Sequence, residues 1–259
     1  MNHSSNNTPQ APPDGSDAST RTVTGSIIDP HAIARVLVAR PNHRLGNLLL
    51  LTPLLVELER LLPGAEVDVL AGPGIAVELL DGFRSVNRVM CMSARPMLQP
   101  GRLLGYWRAL PKRHYDLAIA AEPRSHSSRL AVARSRAIRR IGFTGGGDDA
   151  HLTHTVFTPA GVWHEARLPV YLLRQALRQS EELPISPLTL HLGEFERGLG
   201  QSRLTDLLGP ADFSTPRIGL FAEATGAKRL PLEWWNALLS KLQRRLPHAR
   251  LLEIVPAHG

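Results

Sequence analysis

Residues 36–70, VLVARPNHRLGNLLLLTPLLVELERLLPGAEVDVL, decide the fold. The apolar run at 35–39 leads into a polar loop from Pro41 to Gly46, then a helical stretch at 47–62, then a second apolar run at 65–70. Short apolar runs bounded by turn residues read as strands buried on both faces, and a helix between two of them makes a βαβ unit. In such a unit the start of the helix faces the crevice at the carboxyl ends of the strands. Its free N–H groups suit an anion or a sugar hydroxyl there. Gly46 is expected to let the backbone come close to a ligand, and Asn42, His43, Arg44 and Asn47 place polar groups on the same loop. Neither a G-x-G-x-x-G fingerprint nor a P-loop lysine follows the strand, which argues against a dinucleotide or P-loop site.

The same alternation continues outward. Strands are predicted at 86–92 (VNRVMCM), 116–122 (DLAIAAE) and 139–143 (RRIGF), with helices at 74–81, 100–111, 125–135 and 163–183. Strands alternating with helices give a doubly wound parallel sheet. Beyond Pro184 and Pro187 the pattern restarts with a strand at 217–222, a helix at 231–247 opened by Pro231, and a strand at 250–255. The expected organisation is a disordered tail at 1–30, a Rossmann-like domain at 31–190 and a linker at 191–215. An incomplete second Rossmann-like domain follows at 216–259.

The chain of 259 residues, 43% hydrophobic and 20% charged, is globular in composition, and no apolar run reaches the ~18 residues of a transmembrane helix. The first twenty residues lack a basic segment followed by an apolar one, so a cytoplasmic protein is expected. A single cysteine, Cys91, excludes an internal disulfide and a cysteine-based zinc site. His151 and His154 flank Thr153 without metal-ligand spacing, so no metal site is expected.

Net charge is +7, and the excess is concentrated. Between Arg84 and Arg140 twelve arginines and Lys112 face only Asp116 and Glu122, a local net of +11 that attracts an anionic partner. With 5% aromatics and no helix-turn-helix, zinc-finger or RNP pattern, nucleic acid is not the expected partner.

Several separated blocks, RPNHRLGNLLLLTPLL, LPGAEVDVLAGP, HYDLAIAAEPRSHSSRLAVARSRAIRRIGF and ATGAKRLPLEWW, together resemble glycosyltransferase family 9, the ADP-heptose:lipopolysaccharide heptosyltransferases. The resemblance runs from about Arg35 to the last residue. It implies an α/β protein of GT-B type that transfers a heptose or related sugar from a nucleotide-sugar donor such as ADP-heptose to the lipopolysaccharide inner core. Transfer would proceed with inversion and without metal or other cofactor. It also implies an anionic core acceptor and peripheral contact with an anionic membrane surface. A truncated, non-catalytic remnant or acceptor-binding domain is the alternative.

The family's first loop ends in Gly-Asp, the aspartate being the proposed base; this chain has Gly46-Asn47. An amide does not accept a proton as a carboxylate does. Asn47 is therefore expected to orient the acceptor hydroxyl, with His43 as substitute base. Arg44, Gly46, Arg124 and Ser125 are the expected acceptor contacts, with Arg129, Arg134, Arg136, Arg139 and Arg140 as further cations for acceptor or lipid headgroups. By position Lys228 matches the family lysine that contacts the donor diphosphate, with Thr225 and Gly226 beside it. Trp234 and Trp235 are expected to pack in the core and at its rim.

Overall fold

A computed structural model describes residues 23–41, 44–72, 74–92, 100–145, 149–161, 163–180, 182–210, 215–223 and 226–255. The chain forms two compact units, Met1–His191 and Leu192–Gly259.

The first unit is built on a seven-stranded sheet of β1 (Val23–Thr24), β2 (Arg35–Ala39), β3 (Glu66–Ala71), β4 (Val86–Cys91), β5 (Leu117–Ala120), β6 (Arg139–Phe143) and β7 (His154–Val156). Their spatial order is β1-β7-β6-β5-β2-β3-β4. All neighbours are parallel except β1, which pairs antiparallel with β7 at the edge. Counted from β2, the six parallel strands follow the 3-2-1-4-5-6 order of a doubly wound sheet. Inward-pointing residues alternate between two cores. Val36, Val38, Val67 and Val69 pack with Leu54, Leu58 and Leu172 on one face. Leu37, Ala39, Leu70 and Ala118 pack with Ala131 and Val132 on the other.

The expected helix at 47–62 is two helices, α1 (Leu45–Leu49) and α2 (Thr52–Leu61). Pro53 has no N–H to give Leu49, and the Thr52 hydroxyl takes that carbonyl instead at 2.9 Å. Three further helices, α3 (Ala76–Leu80), α4 (Pro100–Ala109) and α5 (His126–Ser135), lie where the sequence places them. The long helix expected at 163–183 is only α6 (Arg167–Ala176), since Arg178 turns left-handed at φ 52° and ends it.

Three further differences have simple causes. Residues 23–30 of the expected tail are ordered against the sheet: Val23 pairs with Val156 of β7, Ile28 is buried in the same core cluster as Val156, and Ser26 O accepts from His154. Most of that tail lies outside the described residues. The short strand β7 was not anticipated, because HTV is brief and opens with histidine. Within the span expected as a linker lies a fifteen-residue helix, α7 (Glu194–Leu208), which buries none of its side chains.

A buried ion pair ties the helical layer together. Arg174 Nε lies 2.6 Å from Glu57 Oε1, and its other nitrogens donate to the carbonyls of Leu183 and Pro184. Arg60 adds a second cation to Glu57 at 2.7 Å. The second unit holds β8 (Arg217–Leu220), α8 (Leu232–Arg245) and β9 (Arg250–Glu253), with β8 and β9 parallel. Among the described residues no helix is long and apolar enough to cross a membrane.

Candidate active site

The strand order of a doubly wound sheet reverses between its first and fourth strands, and ligands bind outside the carboxyl ends of the strands at that point. Here those strands are β2 and β5, paired in register from Val36–Leu117 to Ala39–Ala120. The ladder runs one step further, with Ala121 N donating to Ala39 O and Arg40 N to Leu70 O.

At this crevice stands an ion pair that the sequence reading missed. Arg40 Nε is 3.3 Å from Glu122 Oε1, and Arg40 is only 4% exposed. Among the described residues its Nε makes no hydrogen bond, and the attraction to Glu122 is Coulombic. Burial pushes the guanidinium below its ordinary value, while Glu122 and Glu165 act in the other direction. The signal was present in the sequence: Arg40 directly follows the last residue of β2, and Glu122 lies two residues past the end of β5.

The loop after β2 passes through Arg44, which is exposed and occupies the capping position of α1 without a side-chain cap bond. Asn47 is half-buried in the first turn, its N–H donating to Arg44 O at 3.0 Å. Gly46 is exposed, and a methyl there would meet nothing within 4 Å. Among the described residues nothing demands glycine at 46, and a close approach there is one that a ligand would make. His43 lies outside the described residues.

The loop after β5 leaves from the same end of the neighbouring strand. Arg124 is exposed there. Ser125 caps α5: its Oγ accepts from Ser128 N at 3.2 Å and from the Ser128 hydroxyl at 3.0 Å. The loops carrying Arg44, Gly46 and Asn47 and carrying Arg124 and Ser125 therefore flank one crevice. Beside the starts of α2 and α6, a recess of about 330 Å³ is lined by Pro53, His164, Arg167 and Leu188.

Of the other arginines in the basic stretch, Arg129 is not available to a ligand. It is 1% exposed, with Nη1 2.6 Å from Asp149 Oδ1 and Nη2 donating to the carbonyls of Phe143 and Pro123. The Gly145 N–H, Arg129 and the Thr144 hydroxyl hold the Asp149 carboxyl below its ordinary value against the effect of burial. Arg129 thus braces the loops after β5 and β6. Arg140 is likewise committed to the carbonyls of His151 and Ala137. His154 is structural: Nε2 donates to Ser26 O at 2.8 Å, and Nδ1 accepts from the Thr153 hydroxyl at 2.8 Å.

In the second unit Gly226–Lys228 form a 3₁₀ turn between β8 and α8, with Gly226 at φ +64° and Arg229 N donating to Gly226 O. Lys228 is exposed, and Thr225 lies outside the described residues. A recess of about 480 Å³ at the carboxyl ends of β8 and β9 is lined by Glu223, Arg229, Pro231, Trp235 and Glu253. Trp235 is half-buried there, its indole Nε1 without a hydrogen-bond partner among the described residues. Trp234 is 45% exposed and meets Trp235 edge to face at 5.0 Å, so it is not core.

This architecture, α/β with a doubly wound sheet and a second unit of two parallel strands, is the fold of solved GT-B glycosyltransferases. It aligns with the family 9 glycosyl transferase from Veillonella parvula at TM-score 0.69 and 16% identity, covering 88% of this chain and 63% of that one. Similarity extends to E. coli heptosyltransferase WaaC, solved with ADP-2-deoxy-2-fluoro heptose, at TM-score 0.61 and 18% identity, with 86% and 69% covered. The E. coli ADP-heptose lps heptosyltransferase II aligns at TM-score 0.56 and 22% identity, with 85% and 63% covered. At these identities the likeness is one of fold, and the chain spans less than two thirds of the Veillonella protein's length. No protein-family model matches the chain, and no curated protein sequence does.

Proposed function

We propose that this chain is a heptosyltransferase-like glycosyltransferase. It takes a nucleotide-sugar donor such as ADP-heptose and passes the heptose or a related sugar to the anionic inner core of lipopolysaccharide, with inversion and without a metal. The observation that carries the reading is the β2/β5 crevice, bordered by exposed Arg44 and Arg124, in a fold shared with solved heptosyltransferases.

In the transfer step an acceptor hydroxyl oxygen attacks the anomeric carbon of the donor, the bond to the diphosphate breaks, and ADP leaves with the bonding pair. Asn47 orients the hydroxyl and His43 takes its proton, a role suited to a group with an ordinary pKa of ~6.5. Arg44, Gly46, Arg124 and Ser125 hold the acceptor. Lys228, with Thr225 and Gly226, neutralises charge on the departing diphosphate. The protein acts in the cytoplasm, in peripheral contact with an anionic membrane surface.

A second reading, an acceptor-binding domain without transfer activity, is favoured by one observation: neither helix of the second unit has a fully buried side chain. Release of ADP from ADP-heptose in the presence of a deacylated inner-core acceptor separates the two. Acceptor-dependent release supports transfer. Acceptor binding by calorimetry without release supports the second reading, and neither signal rejects both.

A further inference from the structure

The proposed function leaves unassigned a flank of the first unit built from α4, the 3₁₀ turn Leu110–Arg113 and α5. These elements carry no aspartate or glutamate. The two acidic residues elsewhere in the basic stretch are both engaged, Asp116 by the N–H groups of Ala34 and Arg35 and Glu122 by Arg40. Arg108, Lys112, Arg134 and Arg136 are exposed on this flank. The helices meet across it: the Arg134 guanidinium lies over the Trp107 ring, 6.0 Å from its centroid.

Apolar side chains sit among these cations. Leu104 is 47% exposed, four residues before Arg108 on α4. Leu130 is 49% exposed, four residues before Arg134 on α5, so each helix sets a leucine beside an arginine along one outward ridge. Ile138, just past Arg136, is 65% exposed. Basic residues at helix C-termini by themselves complement the helix dipole. That account explains Arg108 and Arg134 and leaves the three exposed aliphatic residues without a reason.

We propose that this α4–α5 flank is a docking surface for an anionic lipid bilayer. Arginine and lysine meet lipid phosphates, while Leu104, Leu130 and Ile138 enter the headgroup region. Nucleic acid would match the charge but offers nothing to the aliphatic side chains. The proposal rests on the reading of peripheral membrane contact and names the surface that makes it. It does not depend on sugar transfer, so vesicle binding and transfer fail separately.

The test is sedimentation of the full chain with vesicles of phosphatidylcholine alone and of phosphatidylcholine mixed with phosphatidylglycerol. Binding is expected to the anionic vesicles and not to the neutral ones. Charge reversal in Arg134→Glu/Arg136→Glu should weaken it by about five-fold or more per residue, from ~1 kcal/mol for each basic group near an anionic surface. Leu104→Ser/Leu130→Ser should weaken it at unchanged net charge, and circular dichroism of each variant checks that it is folded. As a control of equal charge change, Arg203→Glu/Lys241→Glu in the second unit should retain binding. No preference for anionic vesicles, equal loss in the control, or tighter binding to duplex DNA than to the vesicles overturns the proposal.

Discussion

Arg40 Nε stands 3.3 Å from Glu122 Oε1 and ties the carboxyl end of β2 to that of β5, where the strand order reverses. Removing Glu122 takes from the buried Arg40 the stronger of the two carboxylates that act on it. Glu122→Gln is expected to destabilise the first unit by about 2–3 kcal/mol in urea unfolding, below the cost of breaking a fully buried pair because Glu122 is 18% exposed and Glu165 remains. Arg40→Met/Glu122→Leu should recover part of that loss. An unchanged midpoint for Glu122→Gln would show the pair to be idle.

A second pair sets the acid limit of stability. Burial alone would raise the Glu57 carboxyl, but hydrogen bonds from Arg60 and Arg174 outweigh it and hold the group below its ordinary value of 4.5. The stabilisation is therefore complete above about pH 4.5 and is lost as pH falls through the lower folded-state value. Arg174→Met should cost about 3–5 kcal/mol at neutral pH and flatten the acid limb of the stability curve. Equal acid slopes in both proteins would contradict this.

His154 acts in a higher range. Burial pushes its imidazole below 6.5, Arg139 adds to that, and the bond to Ser26 O opposes it. The unfolded chain then takes up a proton before the folded one, so stability falls as pH drops below about 6.5 and levels off beneath the folded-state value. In His154→Gln that portion of the pH dependence should vanish. Because Ser26 loses its partner, exchange of the amide hydrogens near β1 should also quicken. A slope that survives the substitution would rule out His154 as its source.

The two faces of the sheet were legible because buried parallel strands such as RVLVA and LAIAA are continuous apolar runs, and the spacing between them leaves room only for a helix. Less visible were features set by tertiary contact. The break between α1 and α2 depends on where one hydroxyl finds a carbonyl, and β7 is too short to show a period. Arg129 reads in sequence as a surface cation, yet Pro123, Phe143 and Asp149 surround it. At the site, the loops around Asn47 and Arg124 could be read from their position after strands, whereas the Arg40–Glu122 pair requires knowing that β2 and β5 are neighbours.

For the proposed chemistry, Asn47→Ala and His43→Ala should each reduce acceptor-dependent ADP release, the histidine variant by about 100-fold or more if it is the base. The pH profile of the parent should rise with deprotonation of a group near neutrality, and this limb should be missing in His43→Ala. Full activity in both variants would remove them from the mechanism.

The most direct test of the central claim, that the second unit receives the diphosphate of a nucleotide sugar through Lys228, is calorimetric titration of ADP into the full chain and into Lys228→Ala. The account predicts saturable binding by the parent and affinity weaker by about ten-fold in the variant, the loss of one charge-assisted contact at ~1.5 kcal/mol. Equal affinities, or no binding of ADP by the parent, would contradict it.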